Sequence, residues 1–376
     1  MKRLDEAMEK AGAEAYVIYA SSRDPDMRYL TEFVTSDPLF YIKKRGRDGV
    51  LIVPQMEIGR AQEEASCDAV TRGDAGFFTY LEEEVNPCRA AARMVYEYVG
   101  GDIIVPGTFP LGVAEEIRTF CRVTVDPGTV EGMRAIKGPR ERDAIRTTQE
   151  KTNEVMALAE EIIRTATVRE GDLWYAGAPL TSDALRREMH CWLLRHGCTA
   201  HDTIVSCGPE TAQPHNAGSG TLREDEPILI DIFPQDEKSG YFADMTRTFV
   251  KGEPTPELQE IYETVRDGQT LAEEMIRPGI TGAEVHNAVL DLFNERGYET
   301  GDEGFIHSLG HGVGLQIHEA PSLSPRGDEP LMAGHVVTVE PGLYYRKTGG
   351  VRLEDLGVIT KDGFVCYTKY ERRLIV

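Results

Sequence analysis

Three of the nine histidines in the chain, His307, His311 and His318, fall within the stretch HSLGHGVGLQIHEAP. Imidazole side chains bind divalent metals and transfer protons near neutral pH, so their density here points to chemistry. The spacing of His307 and His311 is that of the two histidines in an HExxH zinc helix. Ser308 replaces the glutamate, however, and the glycines of the stretch oppose a helix, so this motif is disfavoured. A phosphate-binding loop is disfavoured too, because the P-loop lysine is missing from the sequence of this stretch.

Two pairs of acidic residues provide a second chemical signal. Asp231 in ILIDIF and Asp244 in GYFADMTRTFV become cross-strand neighbours if a hairpin turns at residues 236–239. Glu340 and Glu354 repeat this arrangement around the turn sequence RKTGG. Buried carboxylates this close repel one another unless they are protonated or neutralised by cations. Each acid alone could bond to a backbone amide or an arginine, but matched pairs beside a histidine cluster favour two divalent metal ions.

Composition and charge limit the partners of the chain. It has 376 residues, is 41% hydrophobic and carries a formal net charge of −22. That charge repels phosphate backbones and anionic lipids, so we expect no nucleic acid partner and no membrane partner. The seven cysteines form no CxxC pair, which argues against a disulfide framework and a zinc ribbon. The charged first residues do not resemble a signal peptide, so a cytoplasmic protein is expected.

Short apolar strands alternate with helices in the first part of the chain, which predicts an α/β domain over residues 1–130. The predicted strands cover residues 15–20, 48–54 and 102–107, and the predicted helices cover residues 55–65 and 112–121. A stretch rich in glycine and proline, residues 125–139, is the predicted connection to a second domain.

The second predicted domain, residues 138–376, opens on a long amphipathic helix and contains an internal repeat. The hexapeptide AEEIIR at residues 159–164 returns as AEEMIR at residues 272–277, each at the end of a long helix. A second helix and an apolar strand follow in both halves, with helices predicted at residues 182–197 and 281–297 and strands at residues 228–233 and 336–343. We expect two similar α/β halves that share one cleft, where the acidic pairs meet the histidines.

Several motifs together resemble the metal-dependent Xaa-Pro peptidases of the creatinase and methionine aminopeptidase superfamily, peptidase family M24. They are HSLGHGVGLQIHEAP, VTVEPGLYY, GGVRLED and DMTRTF. MRYLTEF is similar to the signature of the family's amino-terminal domain, and MRAIKGPRERDAI is similar to the start of its catalytic domain. The resemblance implies a fold with α/β and α+β parts: an amino-terminal creatinase-like α/β domain, then a pita-bread catalytic domain with an internal pseudo-two-fold repeat.

The resemblance implies two divalent metal ions per subunit, with manganese expected, and cobalt, zinc or iron accepted by the same kinds of ligand. Asp231 would bind one ion, and His311 with Glu340 would bind the other. Asp244 and Glu354 would bridge both ions. A water molecule that bridges the two ions would be the nucleophile for hydrolysis of an Xaa-Pro bond.

The resemblance also implies roles for the side chains around the metals. Glu340 would accept a proton from the nucleophile, and His215 and His318 would be catalytic residues that hydrogen-bond the substrate and the tetrahedral intermediate. Arg352 would orient the carboxylate of Glu354, two residues further along the chain. The residues predicted to bind substrate are His215, His307, His318 and Arg352.

The glycines of the histidine stretch would then let the backbone pass close to the metals. Creatinase, the metal-free enzyme of the superfamily, lacks this ligand set, so a metal-free enzyme is disfavoured here. The remaining histidines have no comparable setting and are expected to be structural: His190, His196, His201, His286 and His335.

Two departures from the family pattern leave the substrate open. The first acidic ligand stands in DIFP where most relatives have Asp-x-Gly, and Ser322 stands where some dipeptidases have an arginine, with Arg326 as the nearest substitute. The main hypothesis is an Xaa-Pro aminopeptidase or dipeptidase that acts, as a homodimer, on small peptides with proline at the second position. The alternatives are a metal-dependent amidohydrolase or lyase of the same fold with a non-peptide substrate, and a catalytically silent binding protein.

Overall fold

The structure is a computed structural model that describes residues 1–84, 86–298 and 300–376. It divides into two units, Met1–Arg134 and Ala135–Val376, and each unit has hydrophobic cores of its own. Within the described ranges, no helix is both long and apolar enough to cross a lipid bilayer.

The first unit is a mixed sheet with helices packed on both faces. Its helices are α1 (Lys2–Ala11), α2 (Pro25–Thr31), α3 (Ile58–Glu64), α4 (Phe77–Glu83), α5 (Pro87–Val99), α6 (Leu111–Arg118) and α7 (Thr129–Arg134). Its strands are β1 (Ala15–Ala20), β2 (Leu39–Lys44), β3 (Gly49–Val53), β4 (Asp68–Thr71), β5 (Ile103–Val105) and β6 (Val123–Val125). The strand order is β4-β3-β2-β1-β5-β6, with β1 antiparallel to β2 and parallel to β5.

The side-chain alternation along β1 shows why both faces of this sheet are covered. Successive strand residues point to opposite faces, so Val17 packs with Val95 of α5 while Tyr16 packs with Leu4 of α1.

The three predicted strands are confirmed as β1, β3 and β5. The predicted connection is not irregular throughout, because it contains α7, whose Val130 is fully buried in the core of this unit.

The second unit begins with the first of two similar halves. Its helices are α8 (Pro139–Thr165) and α9 (Ser182–Arg195), and a short 3-10 helix covers Gly208–Ala212. Its strands are β7 (Thr167–Arg169), β8 (Asp172–Tyr175), β9 (Ala178–Pro179), β10 (Cys198–Thr199), β11 (Ile204–Cys207), β12 (Pro227–Ile232), β13 (Gln235–Asp236) and β14 (Met245–Val250). The antiparallel sheet β11-β12-β14 packs against α8 and α9 around buried residues such as Ile163, Leu185 and Ile230.

The second half repeats this plan with a larger sheet. Its helices are α10 (Pro256–Met275) and α11 (Gly282–Glu295). Its strands are β15 (Gly310–Gly312), β16 (Glu319–Leu323), β17 (Val336–Val339), β18 (Gly342–Tyr345), β19 (Gly349–Arg352), β20 (Asp355–Thr360) and β21 (Gly363–Cys366). The sheet order is β16-β15-β17-β20-β21, and its core with α10 and α11 includes Val265, Val289 and Val337.

Local sequence signals begin and end the paired helices of the two halves. At the start of α11 the Thr281 hydroxyl accepts from the Glu284 N–H, and the Glu284 carboxylate accepts from the Thr281 N–H, which confirms the capping box. Gly197 and Gly297 follow α9 and α11 with φ of 71° and 83°, a left-handed backbone that glycine adopts without strain. The hexapeptides AEEIIR and AEEMIR lie at the ends of α8 and α10. The internal repeat therefore corresponds to two units, each built from two helices and a sheet.

Candidate active site

The two halves of the second unit are joined along a seam, formed by Thr246–Thr248 of β14 and Arg352–Asp355. The Glu354 N–H donates to the Thr246 carbonyl at 3.1 Å, and the Thr248 hydroxyl donates to the Arg352 carbonyl at 3.0 Å. Arg352 ends β19 and Glu354 lies between β19 and β20, and neither strand shares a sheet with β14, so these bonds connect the two halves. Glu354, predicted as a ligand, lies within the seam.

The first acidic pair consists of diagonal neighbours. The register of β12 and β14 places Asp231 opposite Thr246, while Asp244 comes just before β14. Continued by two residues, this register places Asp244 opposite Phe233, which is on the same strand face as Asp231. The two aspartates therefore share one face, offset by two residues, because the turn at residues 237–239 sets the register of the hairpin.

The second acidic pair lies across a break in the strands. The predicted strand 336–343 is wrong as a single element, since Glu340 and Pro341 separate β17 from β18. Proline has no N–H to donate, which interrupts the ladder at this position. β17 pairs with β20 and β18 pairs with β19 in one continuous register, which places Glu340 opposite Glu354.

His311, in β15, joins the acids of the two halves. Its Nε2 atom lies 3.2 Å from Glu340 Oε1 and 3.7 Å from Asp244 Oδ2. Ligand atoms of Asp244, His311 and Glu354 all lie within 4.8 Å of one another. The fold thus gathers carboxylates from both halves around one imidazole.

The glycines beside His311 are required by neighbouring strands rather than by the acidic cluster. A Cβ atom on Gly310 would overlap the carbonyl of Thr338, and one on Gly312 would overlap the carbonyl of Ala320. A Cβ atom on Gly314 would overlap the carboxylate of Glu319. The prediction that these glycines serve close passage to the metals is therefore corrected: they allow β15 to pack closely against β16 and β17.

Electrostatics separates Glu340 from the other three acids. Burial raises the pKa of Asp231, although the charge of Arg352 lowers it in part. Burial, then repulsion from neighbouring carboxylates, raises the pKa of Asp244 and of Glu354 well above the usual range. Burial also raises the pKa of Glu340, but the hydrogen bond from His311 and the charges of His311 and Arg352 together outweigh burial and lower the pKa to about 2. Burial lowers the pKa of His311, but its bond to Glu340 and the negative charges of Glu340 and Asp244 together outweigh burial and raise the pKa to about 9.

The cluster fits divalent cations. No residue in the described ranges donates a hydrogen bond to Oδ1 of Asp231 or to Oδ1 of Asp244, and both atoms are buried. A buried carboxylate oxygen without a donor is costly, and a cation would satisfy it and remove the repulsion between the acids. Carboxylate oxygens and an imidazole nitrogen are suitable ligands for manganese, cobalt, zinc and iron.

Arg352 pairs with Asp231, which corrects the prediction that it orients Glu354. Its Nη2 atom lies 2.6 Å from Asp231 Oδ2, because the long side chain reaches from β19 to β12. Its Nη1 atom donates to the Tyr344 hydroxyl at 2.8 Å. The cation therefore neutralises the first aspartate and leaves Glu354 without a partner of opposite charge among the ion pairs of the described residues.

His307 is held by the same network. Its Nε2 atom lies 2.9 Å from the Tyr344 hydroxyl, and its Nδ1 atom lies 2.7 Å from the Ser308 carbonyl. Because Arg352 can only donate, the Tyr344 hydroxyl accepts from it and donates to Nε2 of His307. Nδ1 then carries the proton, and burial lowers the pKa of this neutral imidazole to about 4. Both ring nitrogens of His307 are therefore engaged in hydrogen bonds within the protein, and the ring forms part of the cleft lining.

A cleft of about 380 Å³ brings the predicted residues together. It is lined by His215, Asp231, Asp244, His307, His311, His318, Glu340, Arg352 and Glu354. His318 is exposed, and its ring centroid lies 4.3 Å from that of His311. Phe233, from the DIFP departure, and Ser322 also line the cleft, whereas Arg326 is exposed and lies outside its lining.

The histidines predicted to be structural lie outside the lining of this cleft. Most of them bond to their local surroundings: His190 to Thr203, His196 to the Trp192 carbonyl, His286 to the Leu309 N–H and His335 to the Met332 N–H. His201 is exposed on the loop before β11.

Two threonines that contact the acidic cluster were not predicted. The Thr246 hydroxyl donates to Glu354 Oε2 at 2.8 Å, and the Thr338 hydroxyl donates to Glu340 Oε1 at 3.2 Å. Thr246 is two residues after Asp244, and Thr338 is two residues before Glu340. Residues two apart share a strand face, so this spacing was the available signal.

A second group of potential ligand atoms lies behind the seam. Glu273, Asp355 and Cys366 have ligand atoms within 4.8 Å of one another. Arg372 pairs with both carboxylates, and the fully buried Arg247 pairs with Asp355 at 2.7 Å. These arginines already neutralise the acids, so the group does not fit a metal ion.

Residues 143–361 match the profile of Metallopeptidase family M24, and residues 1–120 match that of the Creatinase/Prolidase N-terminal domain. The chain is 31% identical over 385 residues to the Xaa-Pro dipeptidase of Pyrococcus horikoshii, covering 100% of this chain and 98% of that protein. It is 32% identical over 345 residues to the Xaa-Pro dipeptidase of Pyrococcus furiosus, covering 89% and 88%. The crystal structure of the prolidase from Pyrococcus horikoshii OT3 superimposes with a TM-score of 0.82 at 28% identity, covering 100% of this chain and 99% of the other.

Proposed function

The chain belongs to Metallopeptidase family M24, and on that premise we propose that it is an Xaa-Pro dipeptidase, a metal-dependent hydrolase. The predicted fold class, a creatinase-like α/β domain followed by a pita-bread catalytic domain, is confirmed by the same matches. The observation that carries the proposal is the acidic cluster, in which Asp244 and Glu354 lie beside His311 and have strongly raised pKa values.

Two divalent ions, with manganese as the expected metal, are part of this proposal. Asp231 would bind one ion, His311 with Glu340 the other, and Asp244 and Glu354 both. The donor-free oxygens and the raised carboxylate pKa values support this set of ligands. When bound, such ions polarise a carbonyl group and lower the pKa of water.

The bond before proline makes a specific demand on the side chains of the cleft. It is a tertiary amide without an N–H, and its nitrogen must gain a proton as the bond breaks. Glu340 would accept the proton of the attacking water. His215 of the first half and His318 of the second half would hydrogen-bond the intermediate and supply the proton that the departing nitrogen takes up.

The proposed function is tested with metal-loaded protein and a matched set of peptides. Xaa-Pro dipeptides should be cleaved with the highest kcat/KM, ahead of longer Xaa-Pro peptides and of Xaa-Ala dipeptides with the same first residue. Equal cleavage of Xaa-Pro and Xaa-Ala substrates would contradict the assignment. Turnover of a non-peptide amide alone would move the enzyme to the amidohydrolase alternative, which its full-length peptidase relatives do not favour.

The two exposed histidines of the cleft should be essential for the chemical step. His215→Ala and His318→Ala should each lower kcat on an Xaa-Pro dipeptide by about 10²–10³-fold, because each removes a hydrogen-bond donor to the intermediate. Metal content should not change, since neither residue is assigned as a ligand. His196→Ala, an exposed histidine outside the cleft, is the control and should keep kcat within about twofold.

The remaining parts of the proposal concern the setting of the enzyme. We propose a homodimer, as the family resemblance implies, and a cytoplasmic location. Light scattering should then give twice the mass of the 41.8 kDa chain. An active protein with the mass of a single chain would exclude the dimer and would leave the peptidase assignment intact.

A further inference from the structure

Thr246 lies between acidic residues of the two halves. It is fully buried and stands directly opposite Asp231 in the register of β12 and β14. Its hydroxyl oxygen is 2.8 Å from Glu354 Oε2 and 3.2 Å from Arg352 Nε. A single neutral hydroxyl is thus in contact with a carboxylate and with a guanidinium.

The direction of these hydrogen bonds follows from chemistry. A guanidinium can only donate, so the Thr246 hydroxyl accepts from Arg352. Its one hydrogen is therefore directed at Glu354. Arg352 also donates to Asp231 at 2.6 Å, which completes a chain from Asp231 through Arg352 and Thr246 to Glu354. An acid of one half is thereby connected to an acid of the other.

We propose that the Thr246 hydroxyl is a positioning group that orients the Glu354 carboxylate for metal binding. This inference rests on the proposed function, because it takes Glu354 as a metal ligand. Within the described ranges no cation forms an ion pair with Glu354, while the neighbouring acids Asp244, Glu340 and Asp231 all repel it. A neutral hydroxyl orients this carboxylate without competing with the metal, whereas a cation in the same place would compete with it.

Thr248 provides a matched control on the same strand. It lies two residues from Thr246 on the same face and is also fully buried. Its hydroxyl donates to the Arg352 carbonyl at 3.0 Å and accepts from the Arg352 N–H at 3.2 Å. It thus bonds across the seam to backbone atoms, whereas Thr246 bonds to a carboxylate and a guanidinium.

The test compares Thr246→Val, Thr246→Ser and Thr248→Val with the wild-type protein. Each is stripped of metal and titrated with manganese chloride in a calorimeter, and the thermal unfolding of the metal-free protein is recorded. Thr246→Val should weaken manganese binding by about 10-fold or more, and Thr246→Ser, which keeps the hydroxyl, should stay within about 3-fold of wild type. Thr248→Val should lower the Tm but keep manganese affinity within about 2-fold.

Wild-type affinity in Thr246→Val would overturn the inference, as would an equal loss of affinity in Thr248→Val. If Thr246→Val fails to fold, Thr246→Ala takes its place with the same expectation, since it removes the hydroxyl without burying a second methyl group. A wild-type protein that binds no manganese and cleaves no Xaa-Pro peptide would refute the proposed function itself. An active, metal-binding wild type with an unaffected Thr246→Val would refute the role of Thr246 alone.

Discussion

The two halves of the catalytic unit each place two acids in the cleft, but the cations that neutralise them come from the second half. Arg352 lies 2.6 Å from Asp231, and His311 lies 3.2 Å from Glu340. In each half one acid thus lies closest to a positively charged group, although His311 is also 3.7 Å from Asp244. The other two, Asp244 and Glu354, share one small cluster with His311 and have strongly raised pKa values.

The two cations, the guanidinium of Arg352 and the imidazolium of His311, differ in chemistry. That difference indicates which of them a metal ion can replace. A guanidinium stays charged at any accessible pH, so the pair of Arg352 with Asp231 persists in the metal-free protein. An imidazolium can lose its proton and become a ligand. His311 is therefore the cation that a metal ion can replace, and Asp244 and Glu354 are the carboxylates that the metal ion would neutralise.

Removing one of the two acids with strongly raised pKa values should have the largest effect. Asp244→Asn keeps the shape of the side chain and removes its charge. We expect loss of more than one metal equivalent per chain and a fall in kcat/KM on the order of 10³-fold or more, because several kcal/mol of metal stabilisation are lost. Elemental analysis and steady-state kinetics measure the two effects.

The control for this prediction is an aspartate at the tip of the same hairpin. Asp236 forms an ion pair with Lys151 at 2.8 Å, away from the cleft. Asp236→Asn should therefore keep full metal content. Full metal occupancy in Asp244→Asn would show that the acids with strongly raised pKa values do not mark the metal site.

Metal affinity should depend strongly on pH, because His311 and the three acids with raised pKa values, Asp231, Asp244 and Glu354, must be deprotonated before they can bind an ion. In the metal-free protein His311 has a pKa of about 9, and the pKa values of Asp244 and Glu354 are raised well above the usual range. Glu340, with a pKa of about 2, contributes no proton. Below the metal-free pKa values binding releases protons, so affinity falls with falling pH by about tenfold per pH unit for each proton released.

Calorimetry in buffers of different ionisation enthalpy measures this release directly. At pH 7 at least one proton, that of His311, should leave for each protein that binds metal. Affinity should rise as the pH rises through the His311 pKa of about 9. A binding heat that is the same in all buffers would contradict the protonated metal-free state.

The sequence predicted the fold because the fold depends on local patterns. Strand β1 was predicted from a six-residue apolar run, and α11 from its capping box. The internal repeat followed from two hexapeptides, and the family followed from motifs that are continuous in the chain. Such signals survive without knowledge of the tertiary structure.

The contacts of the site could not be predicted in the same way. Arg352 and Asp231 are 121 residues apart, and their pairing depends on how two sheets meet at the seam. The proximity of Arg352 to Glu354 in sequence suggested the wrong partner, because a long side chain reaches a neighbouring strand as readily as its own. The break at Pro341 was visible in the sequence, but the continuous register across it was set by tertiary pairing.

The smallest effect should come from the threonine of the second half. Thr338 is fully buried. Its hydroxyl accepts from the backbone N–H of His311 at 3.0 Å and donates to Glu340 Oε1 at 3.2 Å. It thus occupies a place in the second half similar to that of Thr246 in the seam. The Glu340 carboxylate, however, also lies 3.2 Å from Nε2 of His311. The orientation of Glu340 therefore depends less on one hydroxyl.

Thr338→Val should therefore weaken manganese binding by only about 3-fold, less than Thr246→Val. The substitution should lower the free energy of unfolding by about 1–3 kcal/mol, because the backbone N–H of His311 is left buried without an acceptor. Thr338→Ser, which keeps the hydroxyl, should recover most of both losses. A larger loss of manganese affinity in Thr338→Val than in Thr246→Val would contradict this. It would mean that the His311 ring does not hold Glu340 in place and that Glu340 depends on its threonine as much as Glu354 does.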